Sequence, residues 1–314
     1  MKKLTIGSTT YDDFEGIFFT YQSLRLNNLD ILPELDLLVV DNNPSSPEGE
    51  ATKDFCLKSQ QIRYIPYTET KSTAVKNKVF ESAEAPYTLY MDGHILLEPQ
   101  TIKNLIAFFE ANPKNKDLYH GPLLMDCLEG HDPMTHMDPI WRGHMWGTWA
   151  VDPRGTKPHM PPFEIPMQGM GLVTCKTDEW LGFNKNFIGF GGEEGYIHEK
   201  YRLKKRTVWC LPFLRWLHRF GRPRGVPYPL DLQHRIHNYF LGFKELGLDP
   251  TPIIDHFKKE SPDIDIDYIQ NNLESVRDKF LITQGLKKNS RPAPFLPELV
   301  RPATARNIVL DLPK

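Results

Sequence analysis

Short apolar runs separated by helical stretches set the rhythm of the first hundred residues. Leu4-Thr5-Ile6-Gly7 reads as a strand that ends in the polar turn Ser8-Thr9-Thr10-Tyr11-Asp12-Asp13. From Phe14 to Leu26 the apolar residues Ile17, Phe18, Tyr21 and Leu24 fall at helical spacing. Leu35-Asp36-Leu37-Leu38-Val39-Val40 is a nearly unbroken apolar run closed by Asp41-Asn42-Asn43-Pro44, the pattern of a strand covered on both faces. Ile62 to Ile65 predicts a third strand, Ser72 to Ala83 a helix, and Tyr87 to Met91 a fourth strand. Such alternation implies βαβ units and a mainly parallel sheet. Ligands of these sheets bind beyond the carboxyl ends of the strands. The polar strand ends Thr9/Thr10, Asp41/Asn42 and Asp92/His94 are therefore expected to meet in one crevice.

The pattern then changes. From His131 to Pro166 the chain is rich in Pro, Gly, Met, His and Trp with no clear period, which predicts a long functional loop or lid. Its Trp141, Trp146 and Trp149 are candidates for an acceptor wall, or simply for packing of the loop. Periodicity returns with a strand at Gly169 to Cys175, a helix at Thr177 to Leu181, a glycine-led helix at Glu193 to Leu203 and a strand at Thr207 to Cys210. Helices are expected around His234 to Leu246 and Ile266 to Phe280, and the Pro-punctuated stretch Arg291 to Lys314 is expected to wrap the surface.

Composition narrows the class. With 314 residues, 40% hydrophobic and a formal net charge of −2, the chain can bury a sizeable core and does not resemble a nucleic-acid-coating protein. It contains no apolar stretch of the roughly 18 residues that a membrane span needs. The first residues turn polar too early for a signal peptide. Cys56, Cys127, Cys175 and Cys210 are widely spaced and form no CxxC pair, as in a reduced protein. A soluble cytoplasmic protein is the expectation.

Three local signals carry chemistry. Tyr90-Met91-Asp92-Gly93-His94 puts a carboxylate and an imidazole two residues apart at a strand end, and Gly93 lets the chain turn so that both can face one point. Oxygen plus imidazole nitrogen suits Mn²⁺ or a similar divalent ion better than Ca²⁺; the alternative is an ordinary Asp-Gly turn. Ile188-Gly189-Phe190-Gly191-Gly192-Glu193-Glu194 leads into a helix, where the glycines allow close backbone approach and the acids either act on a ligand or merely suit the helix dipole. Trp216-Leu217-His218-Arg219-Phe220-Gly221-Arg222 offers a further imidazole and diphosphate-binding cations, or a solvated basic loop.

In this order the three signals resemble the GT-A glycosyltransferases, in particular the catalytic domains of the polypeptide N-acetylgalactosaminyltransferases. The resemblance runs over roughly Leu4 to Pro223. Its N-terminal part (Ile6 to Tyr11, Val39 to Asn42, Thr73 to Asn77, Tyr90 to Asp92) also resembles the family-two glycosyltransferases. It implies an α/β fold of the nucleotide-diphospho-sugar transferase type, a Rossmann-like mixed sheet flanked by helices with a helical C-terminal extension. A catalytic domain of residues 1–225 is expected, with a nucleotide-binding half over 1–100 and an acceptor half over 101–225, followed by helices over 226–314. By resemblance, Thr9, Tyr11 and Asp41 hold base and ribose, Lys76 lies by the donor, and Asp92, His94 and His218 bind Mn²⁺ (or Mg²⁺). Gly169 and Gly192 lie beside the donor sugar, and Glu193 or Glu194 contacts sugar or acceptor. The family's Trp before Gly-Gly is Phe190 here, and Glu194 stands where Asn is usual.

The reaction implied by the resemblance is a metal-dependent transfer from a nucleotide diphosphate-sugar, a UDP-sugar in the similar family, to a glycan, a protein or another hydroxyl acceptor. Arg222, or Arg219, would steady the leaving diphosphate. The Asp-x-His triplet points to a retaining reaction; Glu193 or Glu194 as general base would give inversion. Two other readings stay open, a nucleotidyltransferase such as a pyrophosphorylase and a non-catalytic sugar-binding descendant. The turn Ser8 to Asp12 lacks the Gly-rich, basic loop that the nucleotidyltransferase needs.

Overall fold

A computed structural model describes residues 1–127, 132–221 and 225–286, with Glu194 described by its backbone only. The strands and helices run, in chain order, β1 (Leu4–Thr10), α1 (Phe14–Asn27), β2 (Leu35–Asp41), α2 (Pro47–Ser59), β3 (Ile62–Pro66), α3 (Asn77–Glu81), β4 (Tyr87–Met91), β5 (Ile95–Leu97) and α4 (Thr101–Ala111). They continue with β6 (Leu118–His120), β7 (Leu123–Met125), β8 (His136–Arg142), β9 (Met145–Ala150), β10 (Phe163–Glu164), β11 (Leu172–Lys176) and α5 (Glu194–Leu203). The last elements are β12 (Val208–Cys210), β13 (Trp216–His218), α6 (Leu232–Leu246), α7 (Thr251–Glu260), α8 (Ile266–Asn271) and α9 (Leu273–Thr283).

An eight-stranded sheet in the order β10-β12-β6-β11-β4-β1-β2-β3 forms the centre. β4, β1, β2 and β3 are mutually parallel, whereas β11 runs antiparallel between β4 and β6, so the sheet is mixed. Every residue of β2 is buried, as its apolar run predicts. Its one charge before the strand end, Asp36, is tolerated because Arg63 grips both carboxylate oxygens at 2.7 Å and Thr5 donates to one of them. One core cluster joins β1, β2, α1 and α4, and a second joins the opposite sheet face to α3 and α5. A smaller sheet, β5-β13-β7, lies beside the strand ends and brings His218 opposite Ile95.

Several expectations needed correction. The helix expected over Ser72 to Ala83 is a 3-10 turn (Thr73–Lys76) followed by the short α3, and that expected over Thr177 to Leu181 is a 3-10 turn alone. The Trp-rich stretch is not an irregular lid: its described part holds the hairpin β8-β9. A register shift between Asp138 and Trp141 breaks the alternation that would have betrayed it. Trp141 packs on Tyr239, His256 and Phe257, so the hairpin is bound to the C-terminal helices. The helix expected at Ile266 to Phe280 is divided at Asn272 into α8 and α9. Three helices went unpredicted, α2, α4 and α7. For α2 a signal was present, since Ser46 caps it through Gly49 N–H and Pro47 stands at its start. The Arg291 to Lys314 stretch lies outside the described residues. Among the described residues no helix is long and apolar enough to cross a membrane.

Candidate active site

A cavity of about 310 Å³ opens at the carboxyl ends of β1, β2 and β4. Thr9, Thr10 and Tyr11 come from the end of β1, Asn42 from beyond β2, and Asp92, Gly93 and His94 from beyond β4. Lys71 to Thr73 and Lys76 form another wall, and Gly189 and Phe190 face it. The expected convergence of strand ends therefore occurs, with Asn42 rather than Asp41 reaching the cavity. Asp41 is buried behind it, where it accepts from Tyr64 Oη at 2.8 Å and from Asn43 N–H at 2.9 Å. Burial pushes its carboxyl pKa up from the usual range.

Asp92 follows the last residue of β4, and its backbone N–H donates to Gly171 O at 2.8 Å, which ties the strand end to the neighbouring chain segment. Tyr90 Oη donates to Asp92 Oδ1 at 2.8 Å and accepts from Thr9 Oγ1, also at 2.8 Å. Burial, reinforced by the Asp92 charge, holds the Tyr90 hydroxyl protonated far above its ordinary range, so it stays a donor. With Oδ1 engaged, Oδ2 is the oxygen turned toward the histidines, 3.9 Å from His94 Nε2. His94 Nε2 and His218 Nε2 face each other at 3.1 Å with the rings at 88°. Two cis nitrogens on one ion would be about 3.0 Å apart in an octahedral sphere of ~2.1 Å bonds and about 3.4 Å apart in a tetrahedral one. Asp92, His94 and His218 thus offer one oxygen and two nitrogens, all within 4.8 Å, and this donor set fits a first-row divalent ion.

Lys76 lines the cavity and its ammonium lies 3.0 Å from Glu193 Oε1. Glu193 is only 1% exposed and does not line the cavity. Gly191 and Gly192 adopt left-handed φ angles of 95° and 90°, and a Cβ on Gly192 would lie 2.8 Å from Asn238 Cβ. These glycines admit helix α6, not a ligand, to close approach. Asn238 latches the same loop, donating to Ile188 O and Gly191 O and accepting from Ile188 N–H. Gly169 packs on Trp149 and does not line the cavity. The Glu194 side chain and Arg222 lie outside the described residues. Arg219 donates to Asp13 Oδ1 at 2.8 Å.

Several lining residues escaped the sequence reading. His234 on α6, Phe280 on α9 and Gln284 just beyond it wall the cavity, together with Pro227, Tyr228 and Pro229. The Phe190 and Tyr228 rings lie 4.8 Å apart, tilted by 32° to each other. Thr10 and Thr73 bring buried hydroxyls that have no hydrogen-bond partner among the described residues. Such groups are costly unless something satisfies them. Asp13, in the sequence only the end of a polar turn, also lines the cavity.

Polar ends of parallel strands thus surround one cavity, with a carboxylate-histidine cluster at its rim. Residues 6–120 match the family model Glycosyl transferase family 2, and the fold of the chain is of the GT-A type. Among solved structures it is similar to GalNAc-T7 with UDP, GalNAc and Mn²⁺, at 12% identity and a TM-score of 0.64 over 91% of this chain and 55% of that one. It is also similar to S. aureus TarS, at 13% identity and a TM-score of 0.50 over 82% of this chain and 43% of that one. The chain thus spans about half the length of the solved structures it matches. No curated protein matches it by sequence.

Proposed function

We propose that this protein is a glycosyltransferase that transfers a sugar from a UDP-sugar, held with Mn²⁺ or Mg²⁺ in the cavity at the strand ends, to a hydroxyl acceptor with retention of configuration. The observation that carries the reading is the convergence of Asp92, His94 and His218 at the rim of a cavity walled by Thr9 to Tyr11 and Lys71 to Lys76. UDP and Mn²⁺ in the similar GalNAc-T7 structure support the choice of donor and ion.

Cleaving a sugar–phosphate bond leaves extra negative charge on the nucleotide diphosphate. A divalent ion on Asp92, His94 and His218 would supply positive charge to that leaving group. Tyr90 turns the free Asp92 oxygen toward the histidines, and Lys76 adds a fixed cation on the cavity wall. The Thr10 and Thr73 hydroxyls, buried and without protein partners among the described residues, suit the polar atoms of a nucleotide. Tyr11 and Asn42 fall in the same wall, while Asp41 acts from behind by bracing Asn43. The aromatic surfaces of Phe190 and Tyr228 in the cavity wall suit a sugar ring. Glu193, buried against Lys76, is better placed to fix that lysine than to take a proton from an acceptor, which speaks against it as the base of the inverting alternative.

A thermal-shift titration with UDP, with and without Mn²⁺, tests the donor site. Stabilisation should need both components and should vanish in Asp92→Ala, whose own melting temperature should stay near that of the wild type. UDP release from a panel of UDP-sugars then names the donor, and NMR of the anomeric proton in the first product reads the stereochemistry. Absence of any nucleotide-dependent shift in the wild type would refute the donor assignment.

A further inference from the structure

Asp13 sits at three junctions at once. Its Oδ1 caps α1 by accepting Gly16 N–H at 3.1 Å and also accepts from Arg219 Nη2 at 2.8 Å. Its Oδ2 lies 3.3 Å from His94 Nδ1. The side chain is 14% exposed and that of His94 is 9% exposed, so the contact is largely shielded from water. Arg219 is tied into the same unit through its backbone, whose N–H donates to His94 O at 3.3 Å.

A carboxylate can only accept. Oδ2 makes no hydrogen bond among the described residues, but its negative charge 3.3 Å from His94 Nδ1 favours the tautomer with the ring proton there, and a neutral imidazole then has its lone pair on Nε2. Nε2 is the atom turned toward His218 Nε2 and Asp92 Oδ2. We propose that Asp13 is a positioning residue of the metal site: it holds His94 in the tautomer and orientation that present an Nε2 lone pair to the ion. The inference rests on the metal reading above and extends it to a residue outside the donor set. Carboxylates behind metal-bound histidines act in this way, and losing one typically costs ten- to a hundredfold in metal affinity.

Asp13→Asn is the informative variant, because the surroundings dictate how the amide must lie. Two donors, Gly16 N–H and the Arg219 guanidinium, already point at the Oδ1 position, so the amide oxygen belongs there. The NH₂ group then occupies the Oδ2 position, donates to His94 Nδ1 and forces the proton to Nε2, where the ion should bind. Asn is as good a helix cap as Asp, so α1 should survive.

The experiment counts free Mn²⁺ by electron paramagnetic resonance, with and without UDP, for wild type, Asp13→Asn and Glu15→Gln. Glu15→Gln removes an equal charge from a largely exposed position on the first turn of α1. The Mn²⁺ dissociation constant should rise at least about tenfold in Asp13→Asn and change less than about threefold in Glu15→Gln. The metal-free melting temperature of Asp13→Asn should stay near that of the wild type. Equal Mn²⁺ affinity in wild type and Asp13→Asn would overturn the role of Asp13 while leaving the metal site standing. A wild type that binds no Mn²⁺ would instead overturn the metal reading and this inference with it. Should Asp13→Asn not fold, ¹⁵N-histidine NMR of the metal-free wild type decides: a His94 proton on Nδ1 supports the proposal, and one on Nε2 refutes it.

Discussion

Replacing Lys76 by Met should be among the most damaging single changes in the N-terminal half, and the structure says by how much. The Lys76 side chain is 8% exposed and that of Glu193 is 1% exposed, with 3.0 Å between ammonium and carboxylate. Oε2 of Glu193 already lacks a hydrogen-bond partner among the described residues. Lys76→Met would strip Oε1 of its ammonium partner, and a buried carboxylate without its counter-ion costs about 3–5 kcal/mol. Glu193→Gln should cost less, about 1–3 kcal/mol, because Lys76 borders the cavity and can be hydrated from it. At this chain length a loss of about 3–5 kcal/mol lowers the melting temperature by roughly 6–10 °C. Replacing both partners, Lys76→Met with Glu193→Leu, should recover most of the loss, since two apolar groups leave no buried charge. Urea unfolding of the wild type, both single variants and the double variant closes the cycle, with an expected coupling of about 2 kcal/mol or more. If Lys76→Met unfolds within about 1 kcal/mol of the wild type, or the double variant is no more stable than Lys76→Met, the two residues do not form a stabilising buried ion pair.

Two further outcomes come from packing and burial. Gly192→Ala combines a left-handed φ of 90° with a Cβ only 2.8 Å from Asn238 Cβ, so a loss of about 2–3 kcal/mol in urea unfolding is expected; a neutral variant would mean the loop does not hold this conformation. His120 is fully buried, donates from Nδ1 to Leu172 O at 2.8 Å, and burial pushes its pKa down to about 4. The unfolded chain takes up this proton near pH ~6.5, so the stabilisation is complete above that value and is lost as pH falls toward 4, by up to about 3 kcal/mol. His120→Gln should flatten the stability profile between about pH 7 and 4, and an unchanged slope would assign the acid sensitivity to other groups.

How far the site was legible depends on how local each signal was. Asp92, Gly93 and His94 are adjacent in the chain, and Thr9, Tyr11 and Lys76 stand at strand ends or turns whose place in a parallel sheet follows from the apolar runs; all of these reach the cavity rim or wall. Sequence patterns failed where one signal had several possible causes. A glycine pair before a helix signals close approach, yet only the fold says to what, and at Gly192 the visitor is Asn238. Likewise Glu193 could be read as a helix cap or a catalytic group, and the structure pairs it with a lysine 117 residues away. The tryptophans Trp141 and Trp146 suggested a binding wall, but both join the cluster that fastens the hairpin to the C-terminal helices.

The sequence by itself determined the parallel α/β character, the position of the cavity at the strand ends and the Asp92–His94 half of the carboxylate-histidine cluster, because periodicity, turns and short spacings are local properties that survive any packing. Only the tertiary structure decided the rest: that β13 lies against β5 and so carries His218 to His94, that Asp13 faces the far side of that imidazole, and that His234, Phe280 and Gln284 close the cavity from the C-terminal helices. These are contacts between segments far apart in the chain. No pattern within one segment encodes its partner, and each pairing emerges only when the hydrophobic faces of whole elements are buried together.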